Sequence, residues 1–396
     1  MHQGRREGEL GAVMVAEGRG IAGLPWWGSL AVLGLACGIL TPSIRTTWQS
    51  AGSRWMYVLV VSGLISFGLT PLVIRLALAL GVFDYPAARK VHTRPTPLLG
   101  GLAIYLAFGT SILANSILDR QVVAILLGAS LLVIMGALDD ARTLPAGAKL
   151  LGQLLAAATV IQSGVVLTLF SRFALGHVLD AALTVVWLLG ITNAMNFFDG
   201  MDGLATGLSI ITAGFLGYFA VLSFQPFLGW FAAAVVGSCL GFLPYNFRPR
   251  RPAAIFLGDA GSTFLGFILA ALAVKGEWAE NHVVDVGAPV LIFWVFIFDM
   301  THITVTRILS GKVRTFREWI DYVGRDHLHH RFEALLGSKR KAVLLIFLLS
   351  ISMGLGAMAL VNARTLEAVL LALQAIVIVS VVTILEGAGN RLDRRR

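Results

Sequence analysis

Long apolar stretches separated by short polar loops recur along most of the chain. Each stretch approaches the roughly 20 residues that an α-helix needs to cross a bilayer, and no alternating polar and apolar pattern suggests the strands of a barrel. Because backbone groups in lipid must bond within their own segment, we predict helices. Eleven spans are predicted, over residues 57–80, 98–118, 121–138, 149–169, 179–198, 204–223, 227–246, 258–275, 287–308, 342–362 and 366–386.

The first part of the chain lacks this regular pattern. Residues 1–55 are rich in Gly and Arg, and a twelfth, weaker span over 21–42 is interrupted by prolines. Because disorder concentrates at chain termini, we interpret 1–55 as a mobile N-terminal extension. The spans then form one domain over 56–388, followed by a basic tail over 389–396.

Composition supports an all-α, polytopic integral membrane protein. Of 396 residues, 57% are hydrophobic and only 13% are charged, and the mean hydropathy is +0.81. Soluble domains carry about 25% charged residues. So little charge cannot cover a soluble globule of this size, and the apolar surface is expected to face lipid.

The net charge of +9 could indicate nucleic-acid binding, but its distribution favours a membrane topology. Lys and Arg concentrate in alternate loops, near residues 90, 145, 250 and 307–341 and at the C-terminus. The opposite loops hold only Arg120, Arg172, Lys275 and Arg364. An excess of basic residues marks cytoplasmic loops. We therefore expect a lipid bilayer, and no nucleic acid, as the partner that explains this charge.

Acidic, histidine and asparagine residues collect at the predicted cytoplasmic ends of the spans. The segments that carry them are GVFDYPAARKVHTRPTPLLGG, GALDDARTLPAGAKL, ITNAMNFFDGMDGLATG, LPYNFRPRRPAAIFLGDAGST and DYVGRDHLHHRFEALLGSKRK. Transporters tend to place ionisable groups near the bilayer midplane. Clustering at one face instead predicts chemistry at the cytoplasmic membrane surface, with a transporter or flippase as the alternative.

The spacing of the acidic residues limits what they can bind together. Asp139 and Asp140 are neighbours on a helix and point about 100° apart, which argues against symmetric binding of one metal ion. Asp199 and Asp202 could share a helical face, but the glycine after each indicates a turn or a frayed end.

Asp259 lies between two glycines at the predicted start of a span. Glycines there let backbone N–H groups approach an anion, although an aspartate at this position could also be a simple N-cap. Carboxylate oxygens without a Cys or His set suit Mg²⁺, which usually binds together with substrate phosphates.

The basic residues suggest an anion-binding rim. Arg248, Arg250 and Arg251 could contact phosphate or simply anchor the helix end at the membrane. The histidines of HLHHR lack an HExxH motif or a Cys pair, so zinc is weakly supported. Histidines near phosphate can donate to its oxygens, although an exposed histidine needs no role. The residues alone thus predict a membrane enzyme with a Mg²⁺ and phosphate site.

Five segments resemble the polyprenyl-phosphate N-acetylhexosamine-1-phosphate transferases, of the glycosyltransferase 4 type. They are DYPAARKVHTRPTPLLGG, LDDARTLPAGAKLLGQ, NAMNFFDGMDGLATG, YNFRPRRPAAIFLGDAGS and RDHLHHRFEALLG, in family order between Phe67 and Leu344. The resemblance implies transfer of a sugar-1-phosphate from a UDP-sugar to undecaprenyl phosphate, with release of UMP, to start a cell-envelope polysaccharide. It also implies a multi-pass protein of the bacterial inner membrane with a cytoplasmic active site.

The same resemblance assigns roles to individual positions. Asp259 and Asp199 would be on the Mg²⁺, with Mn²⁺ as an alternative metal. The catalytic positions are Asp139, Asp140, His329 and His330. The substrate-binding positions are Lys90, His92, Asn196, Asp199, Asp202, Asn246, Phe256 and His327. Of the two aspartates in NFFDGMDG, we expect Asp199 nearer the metal and Asp202 nearer the uridine.

Two details favour one branch of the family. RPTPLLGG and HLHHRFE differ from the TPTMGG and HHHFE typical of muramoyl-pentapeptide transferases, which favours N-acetylglucosamine as the sugar. Asp139 is the candidate to position or deprotonate the lipid phosphate, and direct attack and a two-step route through an aspartyl intermediate both stay open. A homodimer is an alternative to a monomer.

Overall fold

The computed structural model of the protein is built almost entirely of helices. It describes residues 25–85, 94–170, 173–248, 250–279, 282–315, 318–319, 322, 324, 326–361 and 363–393. The helices are α1 (Trp26–Ile39), α2 (Pro42–Ser50), α3 (Arg54–Leu80), α4 (Gly100–Ala114), α5 (Arg120–Ala141), α6 (Ala146–Gln162), α7 (Gly176–Phe198), α8 (Leu204–Leu222), α9 (Pro226–Asn246), α10 (Gly258–Lys275), α11 (His282–Ile292), α12 (Trp294–Leu309), α13 (Leu328–Leu336), α14 (Lys339–Val361) and α15 (Thr365–Asp393). Strands β1 (Phe83–Asp84) and β2 (Thr96–Pro97) form an antiparallel pair.

The all-helical membrane fold predicted from the sequence is confirmed, and the number of spans is approximate. Eight described helices are long and apolar enough to cross a membrane, or up to ten if each of two bent pairs counts as one span. Two predicted spans, 98–118 and 149–169, correspond to the shorter helices α4 and α6, of 15 and 17 residues. The predicted span 287–308 is broken, because α11 and α12 meet at an angle of 74°.

Within residues 1–55 the structure describes α1, α2 and the start of α3. Helix α1 packs against α3, and the Tyr57 hydroxyl donates to the Ile39 carbonyl at 3.1 Å. A bend of 61° separates α1 from α2, where the Arg45 guanidinium donates to the Ala114 carbonyl at 2.8 Å. Burial of apolar surface on α3 offsets the entropy lost on ordering this segment. The predicted division into domains stays a prediction.

Helix α10 lies at the centre of the bundle. It packs against α4, α5, α7 and α8. Of its apolar stretch 78% is buried inside the protein, compared with 6% of the apolar stretch of α15. The N-terminus of α10 is therefore surrounded by other helix ends. The last turns of α5 and α7 and the first turn of α6 meet there, which brings polar residues from separate loops to one end of the bundle.

The β1–β2 pair fixes the first polar loop to the same end. The Phe256 N–H donates to the Pro97 carbonyl at 2.9 Å, and the Gly100 N–H donates back to the Phe256 carbonyl at 3.0 Å. The segment leading into α10 is thus tied to the chain on either side of β2, and Phe256 is held at the edge of the polar end.

Candidate active site

A cavity of 480 Å³ opens at this end of the bundle, beside the N-terminus of α10. Most of the site residues predicted from the sequence line it. These are Asp139, Asp140, Asn196, Asp199, Phe256, Asp259, His327, His329 and His330. The structure therefore brings together residues from four loops that lie far apart in the sequence.

Asp259 accepts hydrogen bonds from side chains of two different helices. Its Oδ1 accepts from Asn196 Nδ2 at 2.9 Å, and its Oδ2 accepts from Lys149 Nζ at 2.9 Å. The Asn196 amide also donates to Ser262 Oγ at 2.9 Å, which fixes its orientation. The side chain of Asp259 does not cap α10, so the simple N-cap interpretation does not apply to it.

Two other carboxylates cap α10 from neighbouring helices. Asp140 on α5 accepts from the Asp259 N–H at 2.9 Å, and Asp199, just after α7, accepts from the Gly258 N–H at 3.1 Å. They accept hydrogen bonds from N–H groups that have no partner within the helix. Their negative charge is also stabilised by the positive end of the helix dipole. Gly258 has a φ of +74°, and a Cβ there would lie 2.4 Å from Asp140 Oδ2. Only glycine allows this approach.

The carboxylates repel one another, which is reflected in Asp199. Burial, followed by the charges of Asp259 and Asp140, raises the pKa of Asp199 well above its usual value. A cation that entered the cavity would relieve this repulsion. Among the described residues no three His, Cys, Asp or Glu side chains converge as a ready metal site. Oxygen donors of this kind suit Mg²⁺, which takes one or two carboxylates and completes its shell with water and substrate phosphate.

Lys149 is a site residue that sequence reasoning missed. Its Nζ lies 2.5 Å from Asp139 Oδ2 and 2.9 Å from Asp259 Oδ2, so it bridges the two carboxylates. The other oxygen of Asp139 accepts from the Leu144 N–H at 2.6 Å. The available signal was its position in the first turn of α6, directly after the loop that follows Asp139. Counted only as a cytoplasmic charge, it was not connected with the acids.

Three histidines form another part of the cavity lining, the histidine wall of His327, His329 and His330. His329 is buried, and neither of its ring nitrogens has a hydrogen-bond partner among the described residues. Its ring lies 4.2 Å from that of His330, and a Cβ at Gly200 would approach its Nε2 to 2.8 Å. The ring of His327 stacks on Phe197 at 4.4 Å. Unpaired ring nitrogens beside the carboxylates leave hydrogen-bonding capacity for a phosphorylated ligand.

Asp202 lies in a neighbouring cavity of 300 Å³ rather than with the other acids. Its carboxylate accepts from the Ala253 N–H at 2.9 Å. Phe256 contributes to the walls of both cavities, so the two are adjacent. The basic residues of the second cavity are Arg94, Arg248, Arg251, Lys339 and Arg340. The charged residues that line the second cavity are therefore mainly basic, whereas those that line the first are mainly acidic.

The structure does not bring Asn246 to either cavity. This side chain is buried at the end of α9, where its oxygen accepts from the Gly203 N–H at 3.1 Å and its amide donates to the Ile255 carbonyl at 3.0 Å. Asn246 thus ties the start of α8 to the segment before α10. Lys90 and His92 lie outside the described residues.

Comparison with known proteins identifies the family. A family model described as glycosyl transferase family 4 matches residues 122–277. A probable undecaprenyl-phosphate N-acetylglucosaminyl 1-phosphate transferase of Bacillus subtilis is 36% identical, over 78% of this chain and 86% of its own length. A decaprenyl-phosphate N-acetylglucosaminephosphotransferase of Mycobacterium tuberculosis is 32% identical, over 89% and 94%. The chain belongs to glycosyl transferase family 4. This confirms the family predicted from the five motifs.

Membership in glycosyl transferase family 4 makes the protein a transferase and sets aside the transporter or flippase alternative. The relatives also include a phospho-N-acetylmuramoyl-pentapeptide-transferase of Desulforamulus reducens, 33% identical over 76% of this chain and 92% of that protein. The match to the family model runs from α5 to α10 and so includes four of the five carboxylates that line the cavity, all but Asp84. The histidine wall lies beyond it.

We expect His329 to make the protein less stable as the pH falls. Burial, followed by the charges of His330 and His327, holds the pKa of His329 well below its usual value. The unfolded chain therefore takes up a proton first, near pH ~6.5, and stability present above that pH is lost below it, at up to about 1.4 kcal/mol per pH unit. The raised pKa of Asp199 acts in the opposite direction. The measurement is thermal unfolding in detergent at about pH 8 and about pH 5.5 for the wild type and His329→Gln. The wild type should lose more stability, whereas equal losses would contradict the assignment.

Proposed function

We propose that this transferase moves N-acetylglucosamine-1-phosphate from UDP-N-acetylglucosamine to undecaprenyl phosphate, with release of UMP. The reaction takes place at the cytoplasmic face of the bacterial plasma membrane and starts a cell-envelope polysaccharide. The observation that carries the proposal is the cavity at the N-terminus of α10, which five carboxylates and three histidines line. Lys149 bridges two of these carboxylates, Asp139 and Asp259. The names of the relatives from Bacillus subtilis and Mycobacterium tuberculosis support the same sugar and a polyprenyl phosphate acceptor.

The position of the cavity suits two substrates of different solubility. It lies at the ends of apolar helices, where a phosphate on a lipid tail and a nucleotide from water can both arrive. The concentration of Lys and Arg in the loops at this end supports a cytoplasmic orientation. The adjacent basic cavity, which contains Asp202, is available to the nucleotide part of the donor.

The carboxylates are also suited to a divalent metal, for which we propose Mg²⁺. Asp259 and Asp199 would hold it, because both line the cavity and present only hard oxygen donors. When bound, Mg²⁺ would neutralise charge on the diphosphate and act as a Lewis acid. Burial, followed by the charges of Asp259 and Asp140, raises the pKa of Asp199, and a cation would stabilise its charged form, which supports a cation at this position.

The residues of the chain then supply orientation and charge. An oxygen of the lipid phosphate forms a bond to the β-phosphorus, and the bond between this phosphorus and the bridging oxygen breaks, with UMP leaving on that oxygen. His329 and His330 line the same cavity as the carboxylates, and a ring N–H of either can donate to the phosphoryl oxygens as charge spreads over them.

Asp139 is suited to positioning rather than to proton abstraction. Both of its oxygens are engaged, one by Lys149 and the other by the Leu144 N–H. A phosphate monoester, whose second pKa is about 6, needs little help to lose its proton at neutral pH. Direct attack by the lipid phosphate is therefore the favoured route, without an aspartyl intermediate.

The test is UMP release by the purified protein with Mg²⁺, undecaprenyl phosphate and a panel of UDP-sugars. UDP-N-acetylglucosamine should give the fastest release, and omission of the lipid phosphate or chelation of the metal should stop it. The panel should include UDP-N-acetylgalactosamine, UDP-glucose and UDP-N-acetylmuramoyl-pentapeptide. Faster release from one of these would overturn the sugar, and no release from any of them would overturn the reaction.

A further inference from the structure

Asp299 is a fully buried carboxylate on α12, within the apolar sequence LIFWVFIFDMTHITV. Burying an isolated carboxylate is costly, so such a group is kept only with good partners. Asp299 has two. Its Oδ1 accepts from the Leu328 N–H at 2.7 Å, and its Oδ2 lies 2.8 Å from His327 Nδ1. Through them α12 holds the start of the histidine segment.

The contact with His327 determines which ring atom is left for substrate. An ionised carboxylate can only accept, so the proton between the two side chains belongs to His327 Nδ1. Nε2 is then the ring nitrogen that can meet another group. The ring is also stacked on Phe197 at 4.4 Å, which fixes its plane, and it lines the cavity. Position, plane and tautomer of His327 are thus all set by its neighbours.

A second contact holds the same segment to the same helix. Arg307, eight residues after Asp299 on α12, donates to both oxygens of Asp326, at 2.9 and 2.7 Å. Since Arg307 and Asp326 already anchor the backbone beside His327, the carboxylate of Asp299 is not needed merely to attach the segment. A neutral amide would serve the Leu328 N–H equally well.

We propose that Asp299 is a positioning residue of the transferase, which acts by holding the His327 proton on Nδ1 and so presenting the lone pair of Nε2 as a hydrogen-bond acceptor to a hydroxyl group of the sugar nucleotide. The proposal rests on the proposed function for the identity of that substrate. Because Asp299 contacts the Nδ1 side of its ring, His327 is the best-oriented of the three histidines. Among the described residues His329 has no partner on either ring nitrogen, and His330 Nδ1 lies 3.8 Å from the Glu333 carboxylate.

Asp299→Asn separates this role from a structural one. The Leu328 N–H can only donate, so the amide oxygen should turn to it and leave the amide NH₂ facing His327. The backbone contact is kept, while the ring must accept at Nδ1 and carry its proton on Nε2. Supporting groups of this type change activity by about 10–100-fold when removed. We expect a loss of that size in UMP release for Asp299→Asn, with little change in thermal stability.

The double variant Asp299→Asn/His327→Gln should be no slower than His327→Gln alone, because Asp299 acts through His327. The matched control is Asp180→Asn, since Asp180 is also buried and accepts the N–H groups of Leu169 and Phe170 far from the cavity. It should release UMP at close to the wild-type rate. Wild-type turnover in Asp299→Asn, or losses that multiply in the double variant, would overturn the proposal.

The protonation of the His327 ring can be measured directly, and this tests the role of Asp299 without relying on UMP release. Histidine ¹⁵N shifts report which ring nitrogen is protonated, and His327→Gln identifies the signals that belong to His327. The proton should be on Nδ1 in the wild type and on Nε2 in Asp299→Asn. The same tautomer in both proteins would overturn the role of Asp299. Absence of UMP release in the wild type would instead count against the proposed function alone.

Discussion

Asp259→Asn should lower UMP release by about 10³-fold, the size expected when a group aimed at the reacting charge is lost. Asp259 accepts from both Lys149 and Asn196 and lines the cavity. An amide keeps the shape but removes the negative charge that would hold a metal cation. The variant should also need more Mg²⁺ for half-maximal rate. UMP release over a range of Mg²⁺ concentrations measures both effects.

The comparison protein is again Asp180→Asn, which makes the same chemical change at a buried aspartate outside the cavity. It should keep its rate and its metal dependence. A near-normal rate for Asp259→Asn at every Mg²⁺ concentration would remove Asp259 from the metal site.

Lys149→Met should lower UMP release by about 10²-fold for a different reason. Lys149 bridges Asp139 and Asp259, and the cavity lining contains no Lys or Arg among the described residues. Without the ammonium group the carboxylates lose both their spacing and their charge compensation. The cavity becomes more negative, so the Mg²⁺ concentration for half-maximal rate should fall, opposite to the change in Asp259→Asn.

Lys275→Met is the matched control, because Lys275 pairs with Asp119 at 2.8 Å at the other end of the bundle. It removes a lysine–aspartate pair without touching the cavity, and its rate should stay near that of the wild type. If Lys149→Met raised the Mg²⁺ requirement, or matched Lys275→Met in rate, Lys149 would not act by balancing the carboxylates.

The sequence predicted most of the residues that meet, because alternate helix ends must lie on the same side of a membrane. It could not predict how they pair. Lys149 had the same appearance as any lysine in a predicted cytoplasmic loop, and its contacts depend on where the first turn of α6 lies relative to the end of α5 and the start of α10. Asp299 had a signal that was not used, since a lone carboxylate in an apolar helix suggests a functional partner. Asn246 occurs in a polar motif, yet it serves to connect backbone segments.

The predicted spans that correspond to α4 and α6 were too long for a related reason. Ile117 and Val165 continue the apolar pattern after α4 and α6, but both lie buried in loops rather than in helices. Hydropathy reports burial in lipid or in protein without distinguishing them. The break between α11 and α12 follows Pro289, which cannot donate a backbone hydrogen bond and commonly kinks a helix.

The capping of α10 by Asp140 and Asp199 has a consequence for how this protein can be engineered. These carboxylates lie close to Asp259, and their mutual repulsion is a cost to the folded protein, which a bound cation would reduce. Neutral amides could accept the same backbone N–H groups without that repulsion. Selection for heat resistance would therefore tend to enrich variants that have lost turnover, and a thermostabilised protein made for crystallisation should be checked for activity at these two positions first.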